Sequence, residues 1–224
     1  MLDNIVARAS VGRVTDPLGR ALVRWGIPPD LVTVVGTVGT VAAAAWFMPK
    51  GQLFAGACVM TAFVLFDLVD GAMARAAGNP TPFGAVLDST CDRIADGALF
   101  AGLVWWCLQI GDQPHTAVAA MISLVAGQVV SYLKARAEAS GLSAQGGLVE
   151  RAERLILALL GTALEGLGVP GALGVALWLL AVGSVITLGQ RLVAVHRSAA
   201  GAERSAEAEA AQSAPPDEGL AAGE

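Results

Sequence analysis

Charge is scarce in this 224-residue chain: Asp, Glu, Lys and Arg together make up 15% of it, well below the share usual in soluble domains. That scarcity argues against a water-exposed globular surface. Cysteine is also scarce. Cys58, Cys91 and Cys107 all sit inside apolar runs and match neither a paired framework nor a zinc spacing, so they read as helix-packing residues. No run combines the short hydrophobic core and small-residue cleavage site of a signal peptide, so the N-terminus is expected to be retained. What fills the chain instead is apolar: 55% of residues are hydrophobic and the mean hydropathy is +0.63. The composition is that of an integral membrane protein.

The fold expected is all-α: six transmembrane helices preceded by an N-terminal amphipathic juxtamembrane helix. Six apolar runs, at about residues 31–49, 53–76, 84–110, 115–138, 150–167 and 171–195, approach or exceed the roughly 20 residues a span needs, with Gly/Pro/Asp turns between them. Residues 3–25 interleave apolar positions at helical spacing with Arg8, Arg13, Arg20 and Arg24, which suits a helix lying in the headgroup region and bent near Pro17. A membrane domain over 1–197 is followed by an Ala/Glu/Ser/Pro-rich stretch, 198–224, expected to be a disordered cytoplasmic tail. The net charge of −5 is concentrated there, in Glu203, Glu207, Glu209, Asp217, Glu218 and Glu224. With six spans, both termini share a face with the 2–3 and 4–5 connections, and that face collects every Lys and Arg except Lys50. By the positive-inside rule it is the cytoplasmic face of the cell membrane.

Against this apolar background, FDLVDGAMARAAGNPTPFGAVLDSTCD places four aspartates at the ends of two spans. Residues three or four apart share a helix face, so Asp67 pairs with Asp70 and Asp88 with Asp92, and an antiparallel hairpin of spans 2 and 3 would bring the pairs level. At roughly 2.5–3.5 kcal/mol per aspartate at a helix centre, four uncompensated carboxylates would cost on the order of 10–14 kcal/mol. Arg75 and Arg93 can neutralise two of them at most. Two divalent cations would neutralise all four, and a set of hard oxygen ligands suits Mg²⁺ or Mn²⁺ rather than zinc. Two ions bridged by carboxylates form the clamp used in phosphoryl displacement. Buried Asp–Arg pairs fastening a hairpin, or an ion pathway, are the competing readings; a pathway would spread its acids across the bilayer, whereas these lie at one end. Gly71 leaves room for a ligand near the backbone, and Gly84 for close packing of spans 2 and 3.

The spacing Asp67-x2-Asp70-Gly71-x2-Ala74-Arg75-x8-Gly84-x3-Asp88-x3-Asp92 resembles, at all eight specified positions, the signature of the CDP-alcohol phosphotransferases. The resemblance implies a reaction in which an alcohol hydroxyl attacks the β-phosphate of a CDP-linked lipid, here CDP-diacylglycerol, and CMP leaves. It implies that Asp67, Asp70, Asp88 and Asp92 hold two metal ions, that Asp92 is also the general base, and that the enzyme is a homodimer. It further implies CDP-diacylglycerol contacts at Asp30, Leu31, Val32, Thr33, Gly71, Arg75 and Thr81. From the residues alone, Asp30 after Pro28 and Pro29 reads as an N-cap, and a helix N-terminus of this kind offers free N–H groups to a nucleotide. Asp96, one turn past Asp92, lies outside the signature and reads as a supporting or packing residue.

Downstream, SYLKARAEASGL and GGLVERAERLI, with FAGACV and FGAVLDSTCDRIADG upstream, are similar to the actinobacterial phosphatidylinositol phosphate synthase branch of that family. Ser131 and Lys134 share a helix face, as do Arg151 and Arg154, and Arg191 lies near the end of span 6. Cations gathered beside a metal site suit a phosphorylated acceptor, and guanidinium forks match phosphate oxygens. The similarity implies that Lys134, Arg154 and Arg191, with Ser131 beside them, hold inositol 1-phosphate (equivalently the 3-phosphate). Arg136 and Arg151 are expected at the surface, paired with Glu138, Glu150 or Glu153. Phosphatidylglycerophosphate synthesis from glycerol 3-phosphate and divalent-cation transport are the alternatives; nucleic acid is not an expected partner.

Overall fold

The computed structural model describes residues 21–76 and 81–213; within these, the side chains of 67–72, 74–76 and 206–213 lie outside the description. All regular structure among the described residues is helical. Six helices follow in order: α1 (Pro29–Phe47, continued by a 3₁₀ turn at Met48–Lys50), α2 (Leu53–Ala76), α3 (Pro82–Gln109), α4 (Pro114–Ala139), α5 (Arg151–Gly166) and α6 (Ala172–Ser213). Of the expected N-terminal amphipathic helix, residues 3–20 fall outside the described part; residues 21–24 are helical.

Local chemistry sets the boundaries. Proline stands in the first turn of α1, α3 and α4, where its fixed φ is already helical and its missing N–H costs nothing. Thr81 caps α3, its Oγ1 accepting from the Gly84 N–H at 3.0 Å. Glu150 and Glu153 form a reciprocal capping box at the start of α5. The cap of α1 is Pro28, not Asp30: the two prolines start the helix two residues earlier, and Asp30 lies inside its first turn, where the helix dipole favours its charge.

The helices close into a ring. In circular order α1 packs on α2, α2 on α5, α5 on α6, α6 on α4, α4 on α3, and α3 back on α1. Among the described residues α2 and α3 therefore do not pack as the hairpin expected from their adjacency in sequence; α1 packs on both and stands between them. Gly84 correspondingly approaches the start of α1, where an added Cβ would lie 3.3 Å from Asp30 Oδ1.

Met48, Met60, Leu99, Phe100, Leu103, Leu173, Leu177 and Leu180 fill the ring interior, with Cys91 and Cys107 also buried, whereas Cys58 is exposed. Outward-facing positions such as Val38, Trp46, Leu108, Val118, Val125, Ile156, Val182 and Ile186 are large, apolar and exposed. That inversion of the soluble pattern, with three helices among the described residues long and apolar enough to cross a bilayer (Pro29–Lys50, Pro114–Ala139 and Ala172–Ser205), marks a membrane protein. Several buried threonines return their protons to their own helix: Thr37 Oγ1 donates to Thr33 O and Thr40 Oγ1 to Gly36 O, each at 2.9 Å. At the end of the ring away from the aspartates, Glu165 ties two connections together, accepting from Gln113 Nε2 at 2.9 Å and from the Leu173 N–H at 3.0 Å.

The stretch expected to lose order at Ser198 does not do so over its first half. α6 continues to Ser213, because Ala- and Glu-rich sequence is intrinsically helical and extends a helix already nucleated in the bundle. Residues 214–224 lie outside the described part.

α5 and α6 approach so closely that a Cβ on Gly161 would lie 2.5 Å from Ala176 Cβ, whereas Gly97 has nothing within 4 Å. Gly161→Ala is therefore expected to destabilise the fold by roughly 1–3 kcal/mol through overpacking. Gly97→Ala is expected to be neutral or mildly stabilising. Thermal midpoints of the two variants in detergent check the contrast.

Candidate active site

The signature aspartates come from two helix ends. Asp88 and Asp92 lie one turn apart on α3; Asp88 is exposed and Asp92 half-buried. Asp67, Asp70, Gly71 and Arg75 lie on the last turns of α2, and their side chains are outside the described residues. Among the described residues no three His, Cys, Asp or Glu side chains cluster, as follows when half of the carboxylate set lies outside them.

The residues expected to contact CDP-diacylglycerol divide by burial. Asp30 and Thr81 come together around Gly84, whose missing Cβ would lie 3.0 Å from Thr81 Oγ1 and 3.3 Å from Asp30 Oδ1. Leu31 is exposed, Val32 is buried against Met73, and Thr33 is buried with its hydroxyl directed to Pro29 O at 3.3 Å. The Val32 side chain is thus a core element, leaving its backbone as the part that can face a ligand.

The basic residues converge. Ser131 and Lys134 of α4, Arg154 of α5 and Arg191 of α6 line one cavity of about 330 Å³, together with Ser89, Asp92 and Arg93 of α3 and Arg151 of α5. Arg136 does not line it and is exposed. Each cation is held differently. Lys134 is exposed and lies 3.9 Å from Glu138. Arg191 is buried; its Nε donates to Gly146 O at 2.9 Å and its Nη1 to Val130 O at 3.4 Å, with Glu150 at 3.8 Å from Nη2. Arg154, 3% exposed, donates from Nη2 to Asp96 Oδ2 at 2.6 Å. Two charges buried in this way persist only as a pair, since an isolated ion would carry a desolvation cost of several kcal/mol.

Arg191 also anchors the α4–α5 connection, whose backbone is stitched to α6 by Val149 N–H to Thr187 Oγ1 at 2.9 Å and Ser143 N–H to Ser198 Oγ at 3.0 Å. Gly147, at φ +139° and with its missing Cβ 2.6 Å from Thr187 Cγ2, can be no other residue without moving this wall of the cavity.

Arg151 departs from the expectation of a surface pair with glutamate. It turns inward, its Nη2 2.8 Å from Asp92 Oδ1 and its Nε 3.4 Å from Asp96 Oδ1. Arg93 lies 3.7 Å from Asp92 and 3.6 Å from Asp96. Asp92 and Arg151 also line a smaller cavity on the far side, against Gly36, Thr37 and Thr40 of α1 and Phe63 and Val64 of α2. The two therefore stand between a space beside α1 and α2 and the cationic cavity. Sequence reasoning missed Arg151, Thr37 and Thr40. The Thr33, Thr37, Thr40 spacing was the available signal for a polar stripe on α1; for Arg151 there was none, because its partners come from another helix.

Known proteins resemble this chain over most of its length. Phosphatidylinositol phosphate synthase of Mycobacterium tuberculosis (strain ATCC 25618 / H37Rv) is 53% identical over 205 residues, spanning 90% of this chain and 94% of the relative. The Streptomyces avermitilis protein of the same name is 48% identical over 213 residues, spanning 92% and 87%. The crystal structure of the M. tuberculosis enzyme with CDP-DAG bound superposes with a TM-score of 0.78 at 54% identity, covering 82% of this chain and 94% of that one. Its structure in complex with manganese and citrate gives the same TM-score and identity, covering 83% and 90%. The family model for CDP-alcohol phosphatidyltransferase matches residues 27–189, and with these relatives it shows that the chain belongs to the CDP-alcohol phosphatidyltransferase family.

Proposed function

We propose that this membrane transferase makes phosphatidylinositol phosphate, moving the phosphatidyl group of CDP-diacylglycerol to a hydroxyl of inositol phosphate with release of CMP. The observation that carries the reading is the single cavity in which Ser131, Lys134, Arg154 and Arg191 meet Asp92. A phosphate held by the three cations leaves the alcohol ring directed at Asp92. There the carboxylate takes the proton of the attacking hydroxyl as its oxygen bonds to the β-phosphorus and the bond to CMP breaks. Arg191, with Nε and Nη1 held by carbonyls and Nη2 3.8 Å from Glu150, keeps further N–H donors on Nη1 and Nη2, a preorganised fork that loses little entropy on binding.

The family chemistry calls for divalent metal, and the donor set fits it. Asp88 and Asp92 share a face of α3, and Asp67 and Asp70 sit a turn apart at the end of α2, giving hard oxygen ligands only. Two bound Mg²⁺ or Mn²⁺ ions would neutralise the pyrophosphate charge and stabilise the leaving CMP. Manganese in the M. tuberculosis relative supports a divalent site of this kind. The nucleotide would lie near Asp30, Thr33 and Thr81 at the starts of α1 and α3, with Gly71 and Arg75 supplied by α2. In the fuller reading residues 1–197 form one membrane domain of six spans behind an amphipathic N-terminal helix. It sits in the plasma membrane as a homodimer, with both termini and the site facing the cytoplasm.

Purified protein with Mg²⁺ and CDP-diacylglycerol is expected to release CMP with inositol phosphate and not with free inositol, glycerol 3-phosphate or serine. Product from glycerol 3-phosphate alone would keep the reaction class and overturn the acceptor. Lys134→Ala is expected to raise the KM for inositol phosphate while leaving that for CDP-diacylglycerol within about twofold, since the lost contact is made only to the acceptor. Asp92→Asn is expected to lower kcat by at least about 10²-fold in a protein of normal thermal stability, as for loss of a general base. Wild-type turnover in that variant would remove Asp92 from the chemistry.

A further inference from the structure

Asp96 lies outside the family signature, yet it is the most buried acid among the described residues of the site, at 2% exposure. Three guanidiniums surround it: Arg154 at 2.6 Å, Arg151 at 3.4 Å and Arg93 at 3.6 Å. Only Arg154 makes a short, charge-assisted hydrogen bond to it, and Asp96 is its one hydrogen-bond partner among the described residues. The flat side of the same guanidinium rests on α4 at Gly127. A Cβ there would lie 2.8 Å from Nη1, 2.9 Å from Cζ and 3.1 Å from Nε of Arg154, and these are the nearest atoms it would meet. One edge of the fork is pinned by Asp96 and one face by bare backbone, leaving donors for the cavity.

We propose that Asp96 and Gly127 are positioning residues that fix the Arg154 guanidinium in the cavity, and that this fixed fork selects an acceptor carrying a phosphate. The inference rests on the reading of the cavity as the site of a phosphorylated acceptor. A guanidinium recognises phosphate through the plane of its donors, so a fork free to rotate would bind any anion weakly and a fixed one binds phosphate in one orientation. Gly127 isolates this role from folding. The three atoms nearest to an added methyl all belong to the end of Arg154, and alanine is the better helix former.

The test is steady-state kinetics on Gly127→Ala, Arg154→Ala and the double variant, varying inositol phosphate and CDP-diacylglycerol separately. Gly127→Ala is expected to raise the acceptor KM by roughly tenfold, the scale of one charge-assisted hydrogen bond. Its CDP-diacylglycerol KM should stay within about twofold, and in the Arg154→Ala background it should add nothing, because the group it displaces is gone. Asp96→Asn should move the same KM in the same direction and likewise add nothing to Arg154→Ala; if it fails to fold, the glycine pair of measurements still decides. An equal rise in both KM values, or an equal effect of Gly127→Ala with and without Arg154, would overturn the positioning role and mark Gly127 as a packing position. So would an unchanged acceptor KM in Gly127→Ala while Arg154→Ala raises it. If Arg154→Ala itself leaves the acceptor KM unmoved, the cavity reading falls and the positioning role with it.

Discussion

A carboxylate buried among three guanidiniums holds this site together. Asp96 is the point at which α3 and α5 are joined electrostatically, through Arg154 and Arg151. Asp96 and Asp92 together bring two negative charges against the three positive ones of Arg93, Arg151 and Arg154, so the cluster keeps a positive excess while Arg154 stays paired well enough to be buried. Asp92, one turn earlier on the same helix, receives the next link through Arg151 at 2.8 Å. The motif aspartate and the cationic cavity are thus parts of one charge network.

The ring of helices makes that network possible. Because α1 stands between α2 and α3, the two motif helices are spaced around a common end of the bundle rather than zipped together. Asp92 then faces two spaces at once: the small one beside Thr37 and Thr40, and the larger cationic one. The connection between α4 and α5, tied down by Thr187, Arg191 and Ser198, closes the larger space from the side.

Much of this was legible in the sequence, for identifiable reasons. Helix existence and type came from apolar run length, with Gly/Pro/Asp turns marking the gaps between runs. The convergence of Ser131, Lys134, Arg154 and Arg191 followed from helical spacing together with family resemblance. What was not legible depends on which helices become neighbours. Adjacency in sequence suggests a hairpin of α2 and α3, whereas the order around the ring puts α1 between them. Arg151 was assigned to the surface because its nearest acids in sequence are glutamates, whereas its partners, Asp92 and Asp96, come from a helix some 60 residues earlier. Gly127 carries no chemical signal at all, since its role is the absence of a side chain against Arg154. Composition weighs the charge and small residues of the stretch after Ser198 but not the helix already running into it, which continues to Ser213.

The central claim is that the cavity recognises the phosphate of its acceptor, and equilibrium binding tests it without turnover. Titrating inositol phosphate and free inositol into the purified protein in Mg²⁺, without CDP-diacylglycerol, is expected to give saturable heat for the phosphorylated compound only. That binding should weaken as salt rises and be displaced by inorganic phosphate. Equal binding of free inositol, or binding insensitive both to salt and to phosphate, would contradict the account.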